Sequence, residues 1–236
     1  MTQRNSQNTY VADIASQRAE AIAQFIGQVK DQLQNRAPET TAELTKVATL
    51  LEDLGRRTEL FPREHFQINQ ANPSQIYRLT EDPEGAYALY VSLGDPGKSQ
   101  PPHDHTTWAI ITGVAGVERN VLYRRAKTYE AARDILHEVK TVNVTRGNSI
   151  ILGPQDVHTI EVIGTELGVH LHFYGLALDR IPGRVVFEST EGGTYRTFAP
   201  PQLIRHALIS PQSLKAALAD GEEIAVLDVR EGGVFS

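Results

Sequence analysis

Two spacings of apolar residues divide the chain. In its first part, apolar residues recur three and four positions apart, first in a stretch that ends at Leu33 and again over residues 44–54, with Gly55 as a stop signal. This spacing places the apolar side chains on one face of each helix, and such a face usually covers a core. We therefore expect residues 1–74 to form a helical segment that packs on the rest of the protein.

From about Gln75 the chain has the pattern of many short strands. Runs rich in Val, Ile, Tyr and Thr alternate with Gly, Pro and Asp, which is typical of an antiparallel sandwich or barrel. We expect this barrel over residues 75–205, with residues 126–137 as a loop or a helical insert. The predicted strands are 86–93, 107–113, 119–124, 138–145, 149–152, 159–163, 169–176, 184–188 and 195–198.

Residues 206–236 change pattern again. Ser210 followed by Pro211 marks a helix start, Gly221 ends that helix, and residues 224–230 form a continuous apolar run typical of a buried parallel strand. This order resembles the start of a rhodanese domain. We expect either a truncated second domain or a simple C-terminal extension. Without a cysteine it supplies no sulfur-transferase chemistry.

Composition narrows the possible chemistry. The 236 residues include 29 acidic and 23 basic ones and no cysteine, which gives a formal net charge of −6. That balance argues against nucleic-acid binding by bulk charge, and no apolar run approaches the ~20 residues of a membrane span. The chain starts without a secretory signal, so we expect a cytoplasmic protein. Without cysteine, any metal must be held by histidine or carboxylate. The oligomeric state stays open.

Histidines supply the strongest candidate chemistry. Two of them lie two residues apart, one follows a turn at Gly153-Pro154, and two more share a strand-like run with a tyrosine in the same period of two. A strand that is apolar on one face and His-His-Tyr on the other lines a polar cavity rather than a plain core. The side chains concerned are His103, His105, His158, His170, His172 and Tyr174.

The spacing of these residues is similar to that of the cupin superfamily. Residues 97–116 fit the first cupin motif, Gly-x5-His-x-His followed by a second glycine, and residues 147–158 follow the spacing of the second motif up to its histidine. The resemblance covers about residues 75–200. It implies a mainly β fold, a cupin (RmlC-like jelly-roll) barrel with N-terminal helices. The acidic ligand of the first motif is missing, because Ala109 and Ile110 stand where it belongs.

A cupin with three histidines and no carboxylate, preceded by two helices, resembles the cysteine dioxygenase (thiol dioxygenase) family. His103-Asp104-His105-Thr106 is similar to that family's metal motif, and residues 170–174 occupy the position of its Ser-x-His-x-Tyr relay, with His170 in place of the serine. Arg78, with Tyr77 beside it, lies 25 residues before His103, close to where the family places its carboxylate-binding arginine.

This resemblance implies a site and a reaction. Fe(II) would sit on His103, His105 and His158, because neutral imidazoles suit that ion and leave three positions open. Tyr174, His172 and His170 would form the catalytic relay, and Arg78 with Tyr77 would bind the substrate. O2 and a small carboxylated thiol, cysteine being favoured by Arg78, would give a sulfinate. The alternatives are 3-mercaptopropionate or mercaptosuccinate as substrate, another cupin dioxygenase or isomerase, and a non-catalytic metal-binding sensor module.

Overall fold

The computed structural model describes residues 2–66, 75–128, 133–199 and 204–205. The predicted C-terminal extension, residues 206–236, lies outside the described residues. The described helices are α1 (Thr2–Leu33) and α2 (Thr41–Arg56), followed by short 3-10 turns at Thr58–Leu60 and Arg63–His65. The described strands are β1 (Gln75–Glu81), β2 (Ala88–Gly94), β3 (Ser99–His103), β4 (Ala109–Ala115), β5 (Val117–Lys127), β6 (Arg133–Val144), β7 (Ser149–Leu152), β8 (Val157–Ile163), β9 (Gly168–Tyr174), β10 (Val185–Ser189), β11 (Gly192–Thr197) and β12 (Ile204–Arg205).

The two helices cover one sheet, as the helical pattern predicts. A capping box starts α2, since the Thr40 hydroxyl accepts from the Glu43 amide and the Glu43 carboxylate accepts from the Thr40 amide. α2 packs against β4, β7 and β9, and α1 packs on α2. Gly55 is required by this packing, because a Cβ there would lie 2.9 Å from Thr112 Cγ2 and 3.0 Å from the Gly113 carbonyl oxygen.

The strands form two layers. One is a six-stranded sheet in the order β12-β1-β2-β9-β4-β7, and the other is a closed barrel of β10-β11-β6-β5-β8-β3. Neighbouring strands are antiparallel, apart from β12 beside β1. The prediction of a mainly β jelly-roll barrel with N-terminal helices is confirmed. In the described part of the chain, no helix is both long and apolar enough to cross a membrane.

The structure contains β1 and β12, which the predicted strands do not include, and it corrects the sequence analysis at two further places. The loop or helical insert expected at residues 126–137 is wrong where the structure describes it, because β5 continues to Lys127 and β6 starts at Arg133, with Ala126 facing Ile135. Cross-strand pairing outweighs local helix propensity here. The other correction is β3, which contains Pro101 and Pro102. Prolines weaken a strand signal, and the pairing of β3 with β8 shifts register at this point.

Strand β9 has two different faces, as predicted from its alternation. Val169, Leu171 and Phe173 belong to the core that the helices cover, and the Phe173 ring meets the Phe25 ring edge-on at 5.2 Å. The intervening residues point to the other side of the sheet, into the space between the two layers. All seven residues of β9 are buried, so this strand connects the helix-covered core to a polar interior.

Candidate metal centre

Three histidines predicted as ligands come together inside the fold. One ring nitrogen of each of His103, His105 and His158 lies within 4.8 Å of the others. The ring centroids are 5.0 Å apart for His103 and His105, 4.6 Å for His103 and His158, and 5.0 Å for His105 and His158. All three side chains are buried. Such a group could hold one metal ion.

The backbone explains how the three rings converge. His103 is the last residue of β3 and stands directly opposite His158 on β8. His105 lies beyond the strand end, so the two-residue spacing acts through a turn and not along one strand face. Thr106 takes the left-handed conformation there, with φ of 52°. A β-branched residue rarely adopts this conformation, and such strain is often found beside functional groups.

Asp104, between the two ligands, anchors this turn. Its backbone N–H donates to the Val185 carbonyl at 3.2 Å, and its Oδ1 accepts from the Val185 N–H at 2.9 Å. Burial raises the pKa of the Asp104 carboxyl, while these contacts and nearby Arg125 oppose the rise. Asp104 therefore ties the ligand-bearing turn to β10.

Glycines of the two motifs lie in turns next to strands of the two layers. Gly97, Gly116 and Gly147 have φ values of 84°, 66° and 73°, all in the left-handed region. At Gly116 an added Cβ would also lie 2.6 Å from the Leu167 carbonyl oxygen. The spacing of the motifs thus records turns that only glycine makes without strain.

The hydrogen bonds of the three rings leave at least one nitrogen of each ring for a metal. His103 Nδ1 lies 2.8 Å from the Pro101 carbonyl oxygen and His158 Nδ1 lies 2.8 Å from Asn120 Oδ1. Both acceptors favour an N–H at Nδ1 and a lone pair at Nε2. His158 Nε2 and both nitrogens of His105 are buried without a partner among the described residues. A metal ion would satisfy His158 Nε2 and one nitrogen of His105, so the residues present fit one.

Electrostatics keep the rings in their metal-binding form. Burial, helped by the charge of Arg184, lowers the pKa of His103 to about 3. Burial likewise lowers the pKa of His105 and of His158 well below the ordinary value, with neighbouring histidines and Arg184 contributing. Neutral imidazole is the form that binds metals.

The predicted relay is brought together in part. The Tyr174 ring lies 5.3 Å from the His105 ring, and its hydroxyl is 3.0 Å from His172 Nδ1. Burial raises the pKa of Tyr174, so the hydroxyl stays protonated. His170 is turned elsewhere, because its Nε2 lies 3.3 Å from the carbonyl oxygen of Val144.

The two predicted substrate-binding residues lie in other surroundings. Arg78 forms ion pairs with Glu81 and with Asp179, the latter at 2.5 Å. The guanidinium of Arg78 therefore already has two carboxylate partners. The Tyr77 hydroxyl donates to Gln75 Oε1 at 2.9 Å, and its ring packs on Phe66 in the helix-covered core. Neither residue has a described contact with the three histidines.

Sequence reasoning missed Arg184, which lies just before β10. This side chain is only 6% exposed. Its Nε donates to the Asp104 carbonyl at 3.2 Å, and its guanidinium lies 4.6 Å from the centre of the Phe198 ring. Its charge lowers the pKa of all three ligand histidines. Among the described residues, neither terminal nitrogen has a hydrogen-bonding partner. No local pattern around Gly183-Arg184 signals this role.

Glu118 and Asn120 were also missed. Both are buried on β5, at 2% and 0% exposure, and face the interior of the barrel. Asn120 Nδ2 donates to Glu118 Oε1 at 3.0 Å. Their alternation along the strand was a usable signal, but a polar pair at period two is equally typical of an exposed face.

Comparison with known proteins finds distant structural similarity only. No model of a known protein family matches the chain. It is similar to a double-stranded β-helix protein from Klebsiella pneumoniae, with 17% identity, a TM-score of 0.37, and coverage of 55% of this chain and 91% of that chain. An RmlC-like cupin from Methanocaldococcus jannaschii has 11% identity and a TM-score of 0.34, with coverage of 47% of this chain and 87% of that chain. A variant of oxalate decarboxylase from Bacillus subtilis has 18% identity and a TM-score of 0.38, with coverage of 51% of this chain and 29% of that chain.

The chain thus spans less than a third of the oxalate decarboxylase chain that it matches. Fold and site together define a class: a two-layer β barrel with a buried three-histidine group that could hold a metal ion. The chemistry of this centre must therefore be inferred from its own geometry.

Proposed function

We propose that the protein is a non-heme Fe(II) thiol dioxygenase, which converts a small carboxylated thiol and O2 into a sulfinate and a proton. Both oxygen atoms go to sulfur, so O2 is the oxidant and no other reductant is needed. The observation that carries this proposal is a metal-binding group made of three buried, neutral histidines, with a protonated tyrosine and a buried arginine beside it.

The three histidines would hold the ion. His103, His105 and His158 supply neutral nitrogen donors, which suit Fe(II). Bound there, Fe(II) supplies a soft-donor site for a thiolate and the redox capacity to reduce O2. The hydrogen bonds to His103 Nδ1 and His158 Nδ1 would hold those rings in the required orientation.

Arg184 and Tyr174 would position the substrate. The two terminal nitrogens of Arg184 can donate parallel hydrogen bonds to a carboxylate, and burial strengthens that pairing. Tyr174, held by His172, places its hydroxyl oxygen next to His105. Arg78 remains the alternative clamp, but its ion pairs oppose that role. The preference for cysteine rested on Arg78 as the clamp. Because the proposal assigns the clamp to Arg184 instead, 3-mercaptopropionate and mercaptosuccinate are equally suitable substrates.

A thiol panel tests the reaction. Protein loaded anaerobically with Fe(II) is given cysteine, 3-mercaptopropionate, mercaptosuccinate or cysteamine, and O2 uptake is measured together with the product mass. We expect uptake with a carboxylated thiol, one O2 for each sulfinate, and neither metal nor turnover in His103→Ala. Tight metal binding without uptake for any thiol would refute the enzyme and favour the non-catalytic metal-binding module.

A pair of variants tests the clamp. Arg184→Met should raise KM for the carboxylated thiol at least tenfold and leave cysteamine, which has no carboxylate, unaffected. Arg78→Met is the matched control, because it removes an arginine that already has two carboxylate partners. A larger KM effect for Arg78→Met than for Arg184→Met would return the clamp to the position that the sequence predicted.

A further inference from the structure

A buried carboxylate that the proposed reaction does not use lies behind the centre. Glu118 is 2% exposed. Its Oε1 accepts from the Asn120 amide at 3.0 Å, and its Oε2 lies 3.9 Å from His172 Nε2 and 3.9 Å from His170 Nδ1. No described Lys or Arg forms an ion pair with it. A carboxylate buried among two imidazoles and one amide requires a reason, because burial of an unpaired charge is costly.

One arm of this arrangement leads from Glu118 to a ligand. A carboxylate only accepts hydrogen bonds, so the Asn120 amide must turn its nitrogen toward Glu118 and its oxygen away from it. That oxygen lies 2.8 Å from His158 Nδ1, which must then carry the proton. Glu118 thereby fixes the orientation of the Asn120 amide, the tautomer of His158 and the Nε2 lone pair at the centre.

The other arm leads from Glu118 to Tyr174. His172 Nε2 is buried without a hydrogen-bond partner, and the nearest carboxylate oxygen belongs to Glu118. A separation of 3.9 Å is close enough for direct electrostatic attraction between the carboxylate and an N–H at His172 Nε2. The carboxylate favours a proton on His172 Nε2. His172 Nδ1 then accepts a hydrogen bond from the Tyr174 hydroxyl.

We propose that Glu118 is a positioning residue that sets both sides of the centre at once. Through Asn120 it sets the ring of the ligand His158, and through His172 it sets the hydroxyl of Tyr174. The first arm rests on metal binding at the three histidines, as in the proposed function. The second arm needs no metal and can be tested alone.

The tautomer of His172 is the direct readout. In metal-free protein labelled with ¹⁵N-histidine, the His172 signals are those missing from His172→Asn. We expect a proton on Nε2 and none on Nδ1 in the wild type. In Glu118→Gln the new amide N–H faces Nε2, so the proton should move to Nδ1. A wild-type protein with its His172 proton on Nδ1, or an unchanged tautomer in Glu118→Gln, would overturn the proposal.

Metal affinity separates the two arms. We expect Co(II) to bind about 10–100-fold more weakly in Glu118→Gln and in Asn120→Ala, as for other second-layer partners of metal ligands. Asn120→Ala should leave the His172 tautomer unchanged. Glu161→Gln is the matched control, because this carboxylate pairs with Arg119 at the surface, and it should alter neither readout.

Each outcome decides the inference. Unchanged Co(II) affinity in both Glu118→Gln and Asn120→Ala would overturn the first arm. If Glu118→Gln does not fold, the wild-type tautomer and the Asn120→Ala affinity still decide. If the wild-type protein binds no metal, the proposed function fails, whereas the tautomer measurement still tests the second arm.

Discussion

Replacing Arg184 by methionine should weaken binding of the carboxylated substrate without reducing stability. The side chain is 6% exposed, donates one hydrogen bond to a backbone carbonyl at 3.2 Å and stacks on Phe198 at 4.6 Å. Losing a hydrogen bond from a charged group costs about 1.5–3 kcal/mol, and losing a buried cation–π contact costs about 1–2 kcal/mol. Against this, keeping one ion out of water costs several kcal/mol.

Methionine keeps most of the packing of the arginine stem, so the two effects should nearly cancel. We expect the free energy of unfolding to change by less than about 1 kcal/mol, or to increase. Arg78→Met gives the contrast, because it breaks ion pairs with Glu81 and Asp179. Glu81 is half-buried and still has an ion pair with Arg180 at 3.2 Å. We therefore expect the free energy of unfolding of Arg78→Met to fall by about 1–2 kcal/mol, a value between those for exposed and for buried ion pairs.

Urea unfolding of metal-free protein measures both variants. A lower midpoint for Arg184→Met than for Arg78→Met would show that Arg184 is a structural residue, and the reasoning about the clamp would be refuted. Agreement with expectation would instead show that this buried cation is retained at a cost to stability, which is typical of a functional group.

Three further predictions concern the folded core and the centre. Phe173→Ala should lower the free energy of unfolding by about 3–5 kcal/mol, measured in urea, because the fully buried ring meets three other aromatic rings. Thr106→Asn should change the free energy of unfolding by less than about 1 kcal/mol, because relief of the left-handed strain offsets the loss of the hydrogen bond from Thr106 Oγ1 to the Pro182 carbonyl; a loss of about 1.5 kcal/mol or more would contradict the strain argument. Metal-free protein should lose stability as the pH falls below 6.5, because burial lowers the pKa of His103 to about 3 and that of His172 to about 4, so the unfolded chain binds protons that the fold does not. Each ring should contribute about 1.4 kcal/mol per pH unit, and a flat unfolding midpoint between pH 6.5 and 4.5 would exclude neutral burial.

The parts of the fold that the sequence predicted are those with a local physical signature. The helical spacing of apolar residues predicts α2. The alternation of apolar and polar residues predicts β9, in which Phe173 and His172 lie on opposite faces. The motif glycines record left-handed turns, so their spacing locates the ends of strands. The group of three histidines follows from these positions, because neighbouring strands bring residues far apart in sequence to the same depth.

The missed residues depend on contacts that no local pattern records. Arg78 matches its expected position along the chain, yet its partner Asp179 lies 101 residues away. Arg184 lies near the histidines in the fold, although it comes near the end of residues 75–205 and Arg78 comes near their start. Charge pairing in three dimensions, and not position along the chain, decides which arginine is available to a ligand.

Strand β5 shows why the interior of this barrel is hard to predict. Its apolar residues Val117 and Val121 alternate with Glu118 and Asn120, and the usual reading of such a pattern turns the valines inward. The structure buries the polar pair more deeply, because the interior must satisfy imidazole nitrogens and cannot do so with aliphatic side chains. The helix-covered sheet supplies the stability that this polar interior lacks. Where function requires a polar core, polarity stops indicating which face is exposed, and the reliable signal becomes whether each buried polar atom has a partner.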